Sequence, residues 1–311
     1  MNTSPVICVV GSINMDLVFR TPRMPALGET ISGHEFVQIA GGKGANQAVA
    51  AARQGARTTF IACVGDDAYG EQSLNGLQRE GIVTDFICTA PGCATGVAGI
   101  FVDDQGRNSI VIAPGANATL RPEHVQPAAI RDARLLICQC ETPLATIQAA
   151  MHIANQHGVQ VVFNPAPAIA LPDDIFALVD YLIVNETEAG QLSAVPVTDP
   201  SSAAAAAKQL LNKGVHYVLV TLGAEGVCIA MPGQFHHLPG IKVSVVDSTA
   251  AGDTFVGAFA TAIGRGLNEL EAAQEAQYCA ALAVTKLGAQ SSIPHQIDVE
   301  KFKSTFNQGM P

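Results

Sequence analysis

A short segment of small residues, residues 246–255 (Val-Asp-Ser-Thr-Ala-Ala-Gly-Asp-Thr-Phe), has the composition of an anion-binding site. Its Ala-Ala-Gly run ends a strand-like region and opens an apolar helix pattern, so several backbone N–H groups there lack intrahelical partners. Those N–H groups and the helix dipole can bind an anion, such as a phosphoryl group in transfer. Asp253 follows directly and could accept a proton from an attacking hydroxyl. Aspartate is also a preferred N-cap residue, and the local pattern does not decide between a base and a cap.

A second segment, residues 41–46 (Gly-Gly-Lys-Gly-Ala-Asn), also leads into a predicted helix. It is not a P-loop, because Lys43 is followed by a glycine and the spacing of that motif fails. Glycines that bring the backbone close to a polyol, together with the amide of Asn46, suit a sugar, and a plain glycine turn is the alternative. The residues after the first predicted strand, 10–14 (Val-Gly-Ser-Ile-Asn), lack the glycine spacing of a dinucleotide site.

Two further segments follow predicted strands, at the edge where open α/β sheets bind ligands. Residues 185–188 (Asn-Glu-Thr-Glu) place carboxylates there, and a carboxylate can order Mg²⁺ through water. A capped helix start with acidic residues in its first turn is the alternative for this segment. Residues 221–226 (Thr-Leu-Gly-Ala-Glu-Gly) end another strand and continue in glycines, which is a weak signal when taken alone.

Short apolar runs alternate with amphipathic helical patterns along most of the chain. The apolar runs predict strands at residues 7–11, 59–64, 135–139, 159–163, 181–184 and 217–221. The amphipathic patterns predict helices at residues 45–54, 68–80, 144–156, 202–213, 254–264 and 270–286. Strands that alternate with helices of about 10–15 residues indicate a parallel sheet covered on both faces.

Two stretches depart from this alternation, residues 16–40 and 95–112, which contain strand-like residues and no good helix. Within the second stretch, residues 97–102 and 109–112 predict a hairpin around Asp-Gln-Gly at 104–106. Together the two stretches predict a small second sheet beside the main one.

The composition excludes several classes of protein. Hydrophobic residues make up 48% of the chain and charged residues 14%, which excludes a disordered or fibrous protein. The net charge of −10 argues against a nucleic-acid partner, although a glycine-rich site can still bind one phosphorylated small molecule. No apolar run approaches the roughly 20 residues of a membrane span, and the N-terminus does not resemble a signal peptide. We therefore expect a cytoplasmic protein with no membrane partner.

The eight cysteines and the paired histidines carry no metal signal. The cysteines lie mostly in apolar runs and never form C-x-x-C, so we expect core thiols in a reducing compartment. His236 and His237 have no third ligand at metal spacing, and we expect them to be exposed.

Residues 41–46 and 247–255 together resemble the two signature regions of the ribokinase-type (phosphofructokinase-B) carbohydrate kinases. The resemblance runs from Gly11 to about Pro294 and includes residues 11–16 (Gly-Ser-Ile-Asn-Met-Asp), 164–167 (Asn-Pro-Ala-Pro) and 288–290 (Gly-Ala-Gln). It implies a single ribokinase-like (Rossmann-like) α/β domain over residues 1–311, with a small β-sheet lid inserted from approximately 16–40 and 95–112. It also implies phosphoryl transfer from MgATP to the 5-hydroxyl of D-ribose, and a homodimer paired through the lid. An aliphatic face with residues such as Val97, Ile100 and Val102 would then form the dimer contact.

The resemblance further implies roles for individual residues. The ribose would be bound by Asn14, Asp16, Gly42, Lys43, Gly44, Ala45, Asn46 and Glu141. Asp253 would be the base, beside an anion hole for the γ-phosphate formed by Ala250, Ala251 and Gly252. The ATP site would include Asn185, Thr221, Leu222, Gly223, Ala224, Glu225, Gly226, Gly252, Asp253 and Gln277, with Glu188 near Mg²⁺. A potassium ion would be bound, mostly through backbone carbonyls, by Asp247, Thr249, Ala283, Lys286, Gly288 and Ser292.

Three other functions remain open. The nearest is a related kinase that acts on deoxyribose, on a nucleoside such as adenosine or on a fructose derivative, because sugar pockets differ by few contacts. A catalytically silent sugar-binding protein on the same fold is the second, although pure binding needs no base at Asp253. A nicotinamide-dependent oxidoreductase is the third, and the missing dinucleotide pattern argues against it.

Overall fold

The computed structural model describes residues 4–308, which form two β-sheets with helices around the larger one. In chain order the strands are β1 (Val6–Val10), β2 (Asn14–Thr21), β3 (Glu35–Gly41), β4 (Arg57–Gly65), β5 (Ile87–Ala90), β6 (Gly96–Asp103), β7 (Asn108–Ala113), β8 (Leu135–Gln139), β9 (Gln160–Asn164), β10 (Tyr181–Asn185), β11 (Tyr217–Thr221), β12 (Val227–Met231) and β13 (Gln234–Leu238). The helices are α1 (Lys43–Arg53), α2 (Ala68–Arg79), α3 (Pro127–Ile130), α4 (Leu144–Gln156), α5 (Glu186–Ser193), α6 (Pro200–Leu211), α7 (Ala251–Gly264), α8 (Glu269–Ala283) and α9 (Gln296–Gln308).

The large sheet has nine strands in the order β13-β12-β11-β10-β9-β8-β1-β4-β5. Seven of its strands run parallel, namely β11, β10, β9, β8, β1, β4 and β5. The strands β12 and β13 are added antiparallel at the β11 edge. A parallel sheet must be covered on both faces, and β1 illustrates how the sequence meets this requirement. Cys8 and Val10 belong to the core on the face covered by α3 to α6, while Ile7 and Val9 belong to the core on the face covered by α1, α2, α7 and α8. The predicted mainly parallel sheet with helices on both faces is confirmed.

Most of the predicted elements are confirmed, and β8, β11 and α4 have the predicted bounds. Helices α1 and α7 begin earlier than the predicted residues 45 and 254, at Lys43 and at Ala251. Part of each glycine-containing segment therefore forms the first turn of a helix. The apolar patterns do not predict β13, because this edge strand contains polar side chains. Its His236 and His237 are half-buried rather than exposed, and His237 Nε2 lies 2.7 Å from the Glu225 carbonyl oxygen.

The small sheet has the order β3-β2-β6-β7, and β6 and β7 form the predicted hairpin. Cross-strand pairing places Val18 opposite both Val37 and Ile100. Successive side chains of a strand point to opposite faces, so Ile100 and Val102 share a face and Val97 lies on the other. The predicted aliphatic face that contains all three residues of β6 is therefore wrong for Val97.

Helices α1 and α7 cross in direct backbone contact on one face of the large sheet. A Cβ atom at Gly257 would lie 2.6 Å from the Gln47 carbonyl oxygen and 2.6 Å from the Ala50 Cβ. At the start of α1, Gly42 has a φ of 90°, and a Cβ there would lie 2.7 Å from the Asn14 nitrogen. Glycine is required at both positions, and the two helices consequently begin close together.

Two further predictions concern the cysteines and membrane-spanning helices. All eight cysteines are free; six are buried and Cys88 and Cys93 are half-buried, as expected for thiols that pack in the core. Within residues 4–308, no helix combines the length and the apolar character needed to cross a bilayer.

Candidate active site

A cavity of about 230 Å³ lies where several strands end and two helices begin. Asn164, Asn185 and Thr221 are the last residues of β9, β10 and β11, and each lines this cavity. This is the edge at which open α/β sheets bind ligands. The other lining residues are Lys43, Ala166, Ile183, Val184, Glu188, Ser248, Ala250, Gly252, Asp253 and Val256.

The start of α7 presents open backbone N–H groups to the cavity. Ala250 is the N-cap residue in a left-handed conformation, with a φ of 59° and no side-chain capping bond. The Ala251 N–H donates to the Ser248 carbonyl at 3.2 Å, whereas the N–H groups of Gly252 and Asp253 find no acceptor among residues 4–308. A Cβ at Gly252 would meet nothing within 4 Å, so the space beside it is open. These features make the helix start a cradle for an anion.

Asp253 is the third residue of α7 and not its N-cap, so the capping alternative for this residue is wrong. Its carboxylate is buried and accepts two hydrogen bonds from α1. The Asn46 amide donates to Oδ2 at 2.9 Å, and the Gln47 amide donates to Oδ1 at 2.9 Å. The backbone N–H of Asp253 thus belongs to the anion cradle, while its side-chain carboxylate is held in one orientation by α1.

A second group of buried and half-buried polar residues adjoins Asp253 on the side of the small sheet. The Glu141 carboxylate accepts hydrogen bonds from the Ser12 hydroxyl and from the Lys43 N–H, the latter at 3.1 Å. The Asn14 Oδ1 accepts from the Asn117 amide at 2.8 Å. Gly44 and Ala45 are buried against the Gly11–Ser12 backbone, with the Ala45 N–H donating to the Ser12 carbonyl at 2.9 Å.

The electrostatics of this group are strongly coupled. Burial, reinforced by the charges of Glu141 and Asp253 and opposed by Lys43, raises the pKa of Asp16 to about 7. Burial disfavours the charged ammonium of Lys43, but nearby carboxylates outweigh this effect and raise its pKa; they are those of Asp253, Glu141, Glu188 and Asp16. The charge of Lys43 therefore partly offsets the repulsion among these carboxylates.

The segment after β10 is a capped helix start that also faces the cavity. The Asn185 Oδ1 accepts from the Glu188 N–H at 2.8 Å, and the Glu188 Oε2 accepts from the Asn185 N–H at 3.0 Å. Burial raises the pKa of Glu188. The capping alternative for residues 185–188 is confirmed, and the same two side chains line the cavity beside Lys43.

The glycine-rich segment after β11 forms a short 3-10 turn at Gly223–Glu225, which includes Ala224. Thr221 lines the cavity, whereas Leu222 is buried. Gly226 has a φ of 99°, and a Cβ there would lie 2.6 Å from the Gly240 nitrogen. Gln277 of α8 does not line the cavity; its Nε2 is buried and has no partner among the described residues.

Two loops next to the anion cradle are joined through Asp247. Its Oδ1 accepts from the Thr249 N–H at 2.9 Å and from the Thr249 hydroxyl at 2.6 Å, and its Oδ2 accepts from the Gly288 N–H at 2.9 Å. Burial opposes ionisation of Asp247, but these hydrogen bonds outweigh it and lower the pKa. Ala283 ends α8, and its carbonyl accepts from the Lys286 N–H at 3.1 Å; Ser292 is buried in the same loop.

The structure adds residues that the sequence motifs do not single out. Gln47, Gln139 and Asn164 form a buried amide chain that ends at Asp253. Their signal in the sequence is a polar residue at a position that the helix or strand pattern buries, since buried polar groups almost always have partners. Within residues 4–308, no three side chains of the His, Cys, Asp and Glu types form a metal-binding group.

Comparison with known proteins gives consistent results. The family model of pfkB family carbohydrate kinases matches residues 5–296. A relative from Haemophilus influenzae named ribokinase is 45% identical, over 94% of this chain and 97% of its own. A relative from Salmonella typhi named deoxyribokinase is 38% identical, over 95% of this chain and 97% of its own. The structure of Arabidopsis thaliana ribokinase complexed with ribose and ATP has a TM-score of 0.91 at 32% identity, and the match covers 96% of this chain and 99% of that one.

The matched region contains both glycine-containing segments and every strand of the two sheets. The matched range therefore includes the segments that line the cavity. On this basis the chain belongs to the pfkB family of carbohydrate kinases.

Proposed function

We propose that this ATP-dependent sugar kinase transfers the γ-phosphoryl group of MgATP to the 5-hydroxyl of D-ribose, giving ADP and D-ribose 5-phosphate. The observation that carries the proposal is a buried, oriented carboxylate, Asp253, directly beside the open N–H groups at the start of α7. Transfer to a hydroxyl needs a proton acceptor and a cradle for the transferred group at one point. The ribokinase relatives support ribose as the sugar.

In the proposed reaction, Asp253 accepts the proton of the 5-hydroxyl as that oxygen forms its bond to the γ-phosphorus. The bond from the γ-phosphorus to the β,γ-bridging oxygen breaks at the same time, and ADP leaves. The N–H groups of Gly252 and Asp253 hold the γ-phosphoryl oxygens, with Ala250 and Ala251 shaping the turn. The chain thus contributes positioning and electrostatic stabilisation, which dominate catalysis of phosphoryl transfer.

The sugar is proposed to bind between the start of α1 and the small sheet. The carboxyl groups of Asp16 and Glu141 and the amides of Asn14 and Asn46 would hold ribose hydroxyls, since carboxylates accept and amides both donate and accept. Gly42 and Lys43 would bring the backbone against the sugar, while Gly44 and Ala45 support that turn from behind.

ATP is proposed to lie along Asn185 and residues 221–226, with its γ-phosphate at α7. The buried, unpartnered amide of Gln277 would face the nucleotide. Glu188 fits an ordering role for Mg²⁺ through water, because one of its carboxylate oxygens has no donor among residues 4–308. Bound Mg²⁺ would neutralise charge on the phosphate oxygens.

A potassium ion is proposed beside the anion cradle, held by carbonyls of the two loops that Asp247 joins. The lowered pKa of Asp247 keeps a negative charge there, which suits a cation. The loops contribute Thr249, Ala283, Lys286, Gly288 and Ser292. Through Asp247 the cation would fix the turn from which α7 begins.

The small sheet is proposed to act as a lid over the sugar and as a homodimer interface. Val37, Ile110 and Ile112 are 37%, 51% and 47% exposed and lie on the same face as Asp16. Isolated exposed apolar residues are ordinary, but a row of them across a sheet indicates an interface. A lid that closes over the sugar would exclude water and limit ATP hydrolysis. ATP use and eight free thiols favour the cytoplasm as the location.

The first test is ADP release from MgATP with ribose, 2-deoxyribose, fructose, adenosine or no sugar, each with and without potassium. We expect ribose to give the highest kcat/KM, and potassium to increase it. Asp247→Ala should abolish the potassium response while ribose still supports slow turnover. Preference for another acceptor would move the specificity within the family, and no turnover with any acceptor would favour a silent binding protein.

Asp253→Asn should lower kcat by about 10²- to 10⁴-fold, because the proton acceptor is removed while the shape is kept. Calorimetric titrations with ribose and with ATP should give dissociation constants close to those of the parent protein. Near-normal turnover of this variant would exclude Asp253 as the base.

Ribose affinity should depend on pH through Asp16. Its pKa of about 7 means that the carboxyl is mostly protonated at pH 6, and ribose hydroxyls donate to the ionised form. Binding should therefore be about tenfold weaker at pH 6 than at pH 8, since the ionised fraction falls by that factor. Asp16→Asn should bind ribose weakly with little pH dependence. An affinity of the parent protein that is flat between pH 6 and pH 8 would contradict this role.

Ile110→Glu should dissociate the proposed dimer, because a charge on the apolar face must be desolvated on association. Sedimentation velocity of the parent protein and the variant would measure this. Val111→Glu is the matched control, since Val111 is the next residue of β7, is 68% exposed and lies on the opposite face. Equal effects of the two substitutions, or a monomeric parent protein, would reject this interface.

A further inference from the structure

A chain of buried amide side chains lies behind Asp253 and takes no part in the reaction described above. Gln47 Nε2 donates to Asp253 Oδ1 at 2.9 Å and to Asn164 Oδ1 at 3.1 Å. Gln139 Nε2 donates to Gln47 Oε1 at 2.7 Å, and Asn164 Nδ2 donates to the Ile183 carbonyl at 2.8 Å. These hydrogen-bonded amides therefore link α1, β8, β9, β10 and α7 to one another.

The direction of every hydrogen bond in this chain follows from its one fixed end. The Ile183 carbonyl can only accept, so Asn164 must turn its NH₂ group toward it and its Oδ1 toward Gln47. Gln47 must then turn its own NH₂ toward that oxygen, and the same NH₂ reaches Asp253. The reversed Gln47 amide would place its carbonyl oxygen against two acceptors, and its Oε1 would lose the Gln139 donor.

Burial separates Gln47 from the substrate. Gln47 and Gln139 are 0% exposed, and neither lines the cavity. Asn46, by contrast, belongs to the residues proposed to hold the sugar, and it donates to Oδ2, the other oxygen of Asp253. Oδ1 thus faces the protein interior, and Oδ2 lies on the side of Asn46, where the sugar is proposed to bind.

We propose that Gln47 is a positioning residue for phosphoryl transfer, which holds Oδ1 of Asp253 so that Oδ2 is aimed at the attacking hydroxyl. This rests on the proposed role of Asp253 as the base. Gln47 contacts two residues that line the cavity, Asp253 and Asn164, and neither is among the residues proposed to hold the sugar through side-chain hydroxyl contacts. Its loss should therefore affect the rate of the chemical step and leave sugar binding unchanged. Gln139 acts one step further back, by donating to Oε1 of the Gln47 amide and so supporting the orientation that Asn164 and Asp253 require.

A double-mutant cycle separates this role from a structural one. Gln47→Met keeps the side-chain length and removes the donor, and it should lower kcat by about 10- to 100-fold with ribose KM within about twofold of the parent value. In Asp253→Asn, where no base remains to be aimed, adding Gln47→Met should change the residual rate by less than about twofold. Transfer of labelled phosphate from ATP would measure these slow rates.

Several outcomes would overturn the proposal. They are unchanged kcat in Gln47→Met, an equal loss of rate in both backgrounds, or a rise in ribose KM that accounts for the whole effect. Thr146→Val is the matched control, because it also removes one side-chain donor at a fully buried site. Its helix α4 packs on the opposite face of the large sheet from α7, so kcat should stay unchanged. If Gln47→Met does not fold, Gln139→Met keeps the Gln47–Asp253 contact but removes the donor to Gln47 Oε1, and it should give a smaller loss of kcat with the same dependence on Asp253.

Failure of the proposed function would be visible separately. If the parent protein does not use ribose, the same cycle is measured with whichever acceptor of the panel turns over, since the positioning of Asp253 does not depend on the sugar.

Discussion

The close crossing of α1 and α7 is the constraint on which the rest of the site depends. Gly257 has no side chain, so the α7 backbone approaches the α1 carbonyl of Gln47 to a distance that any Cβ would prevent. This approach allows Asn46 and Gln47 to reach Asp253, more than two hundred residues further along the chain. Packing of two apolar helix faces therefore determines the orientation of a carboxylate.

Both helices are also preceded by an N-cap residue with a positive φ. Gly42 and Ala250 have φ angles of 90° and 59°, and each turns the chain sharply into its helix. The first turns of α1 and α7 thus meet at one cavity. The N–H groups of α1 are bonded within the fold, whereas those of Gly252 and Asp253 in α7 have no acceptor among residues 4–308. A site for a polyol next to a site for a phosphoryl group is a consequence of this shared geometry.

Charge is concentrated where these elements meet. Four carboxylates lie close enough to Lys43 to raise its pKa. Burial and the acidic neighbours of Asp16 raise the pKa of its carboxyl to about 7. A cavity with this balance repels a highly charged nucleotide unless backbone dipoles offset the repulsion, which the start of α7 can do. The same coupling means that a change in one charged residue alters the ionisation of the others.

Sequence by itself determined much of this protein, for identifiable reasons. Alternating apolar runs and amphipathic patterns predicted the parallel sheet and its helices, because periodicity records which faces are buried. The glycine-containing segments predicted both halves of the site, since few residue types tolerate such turns. Local pattern could not decide between a base and a cap at Asp253, because the answer depends on where α7 begins and on what faces its third residue.

Only the tertiary structure decided which distant side chains serve that residue. Gln47, Gln139 and Asn164 are isolated polar residues in apolar surroundings, and nothing in their local sequence indicates a common partner. Strand register likewise decided that Val97 and Ile100 face opposite ways, since alternation is strict once β6 is aligned with β2. Hydrogen-bond partners and sheet faces are set by contacts between segments far apart in the chain, and so they become defined only when the elements pack.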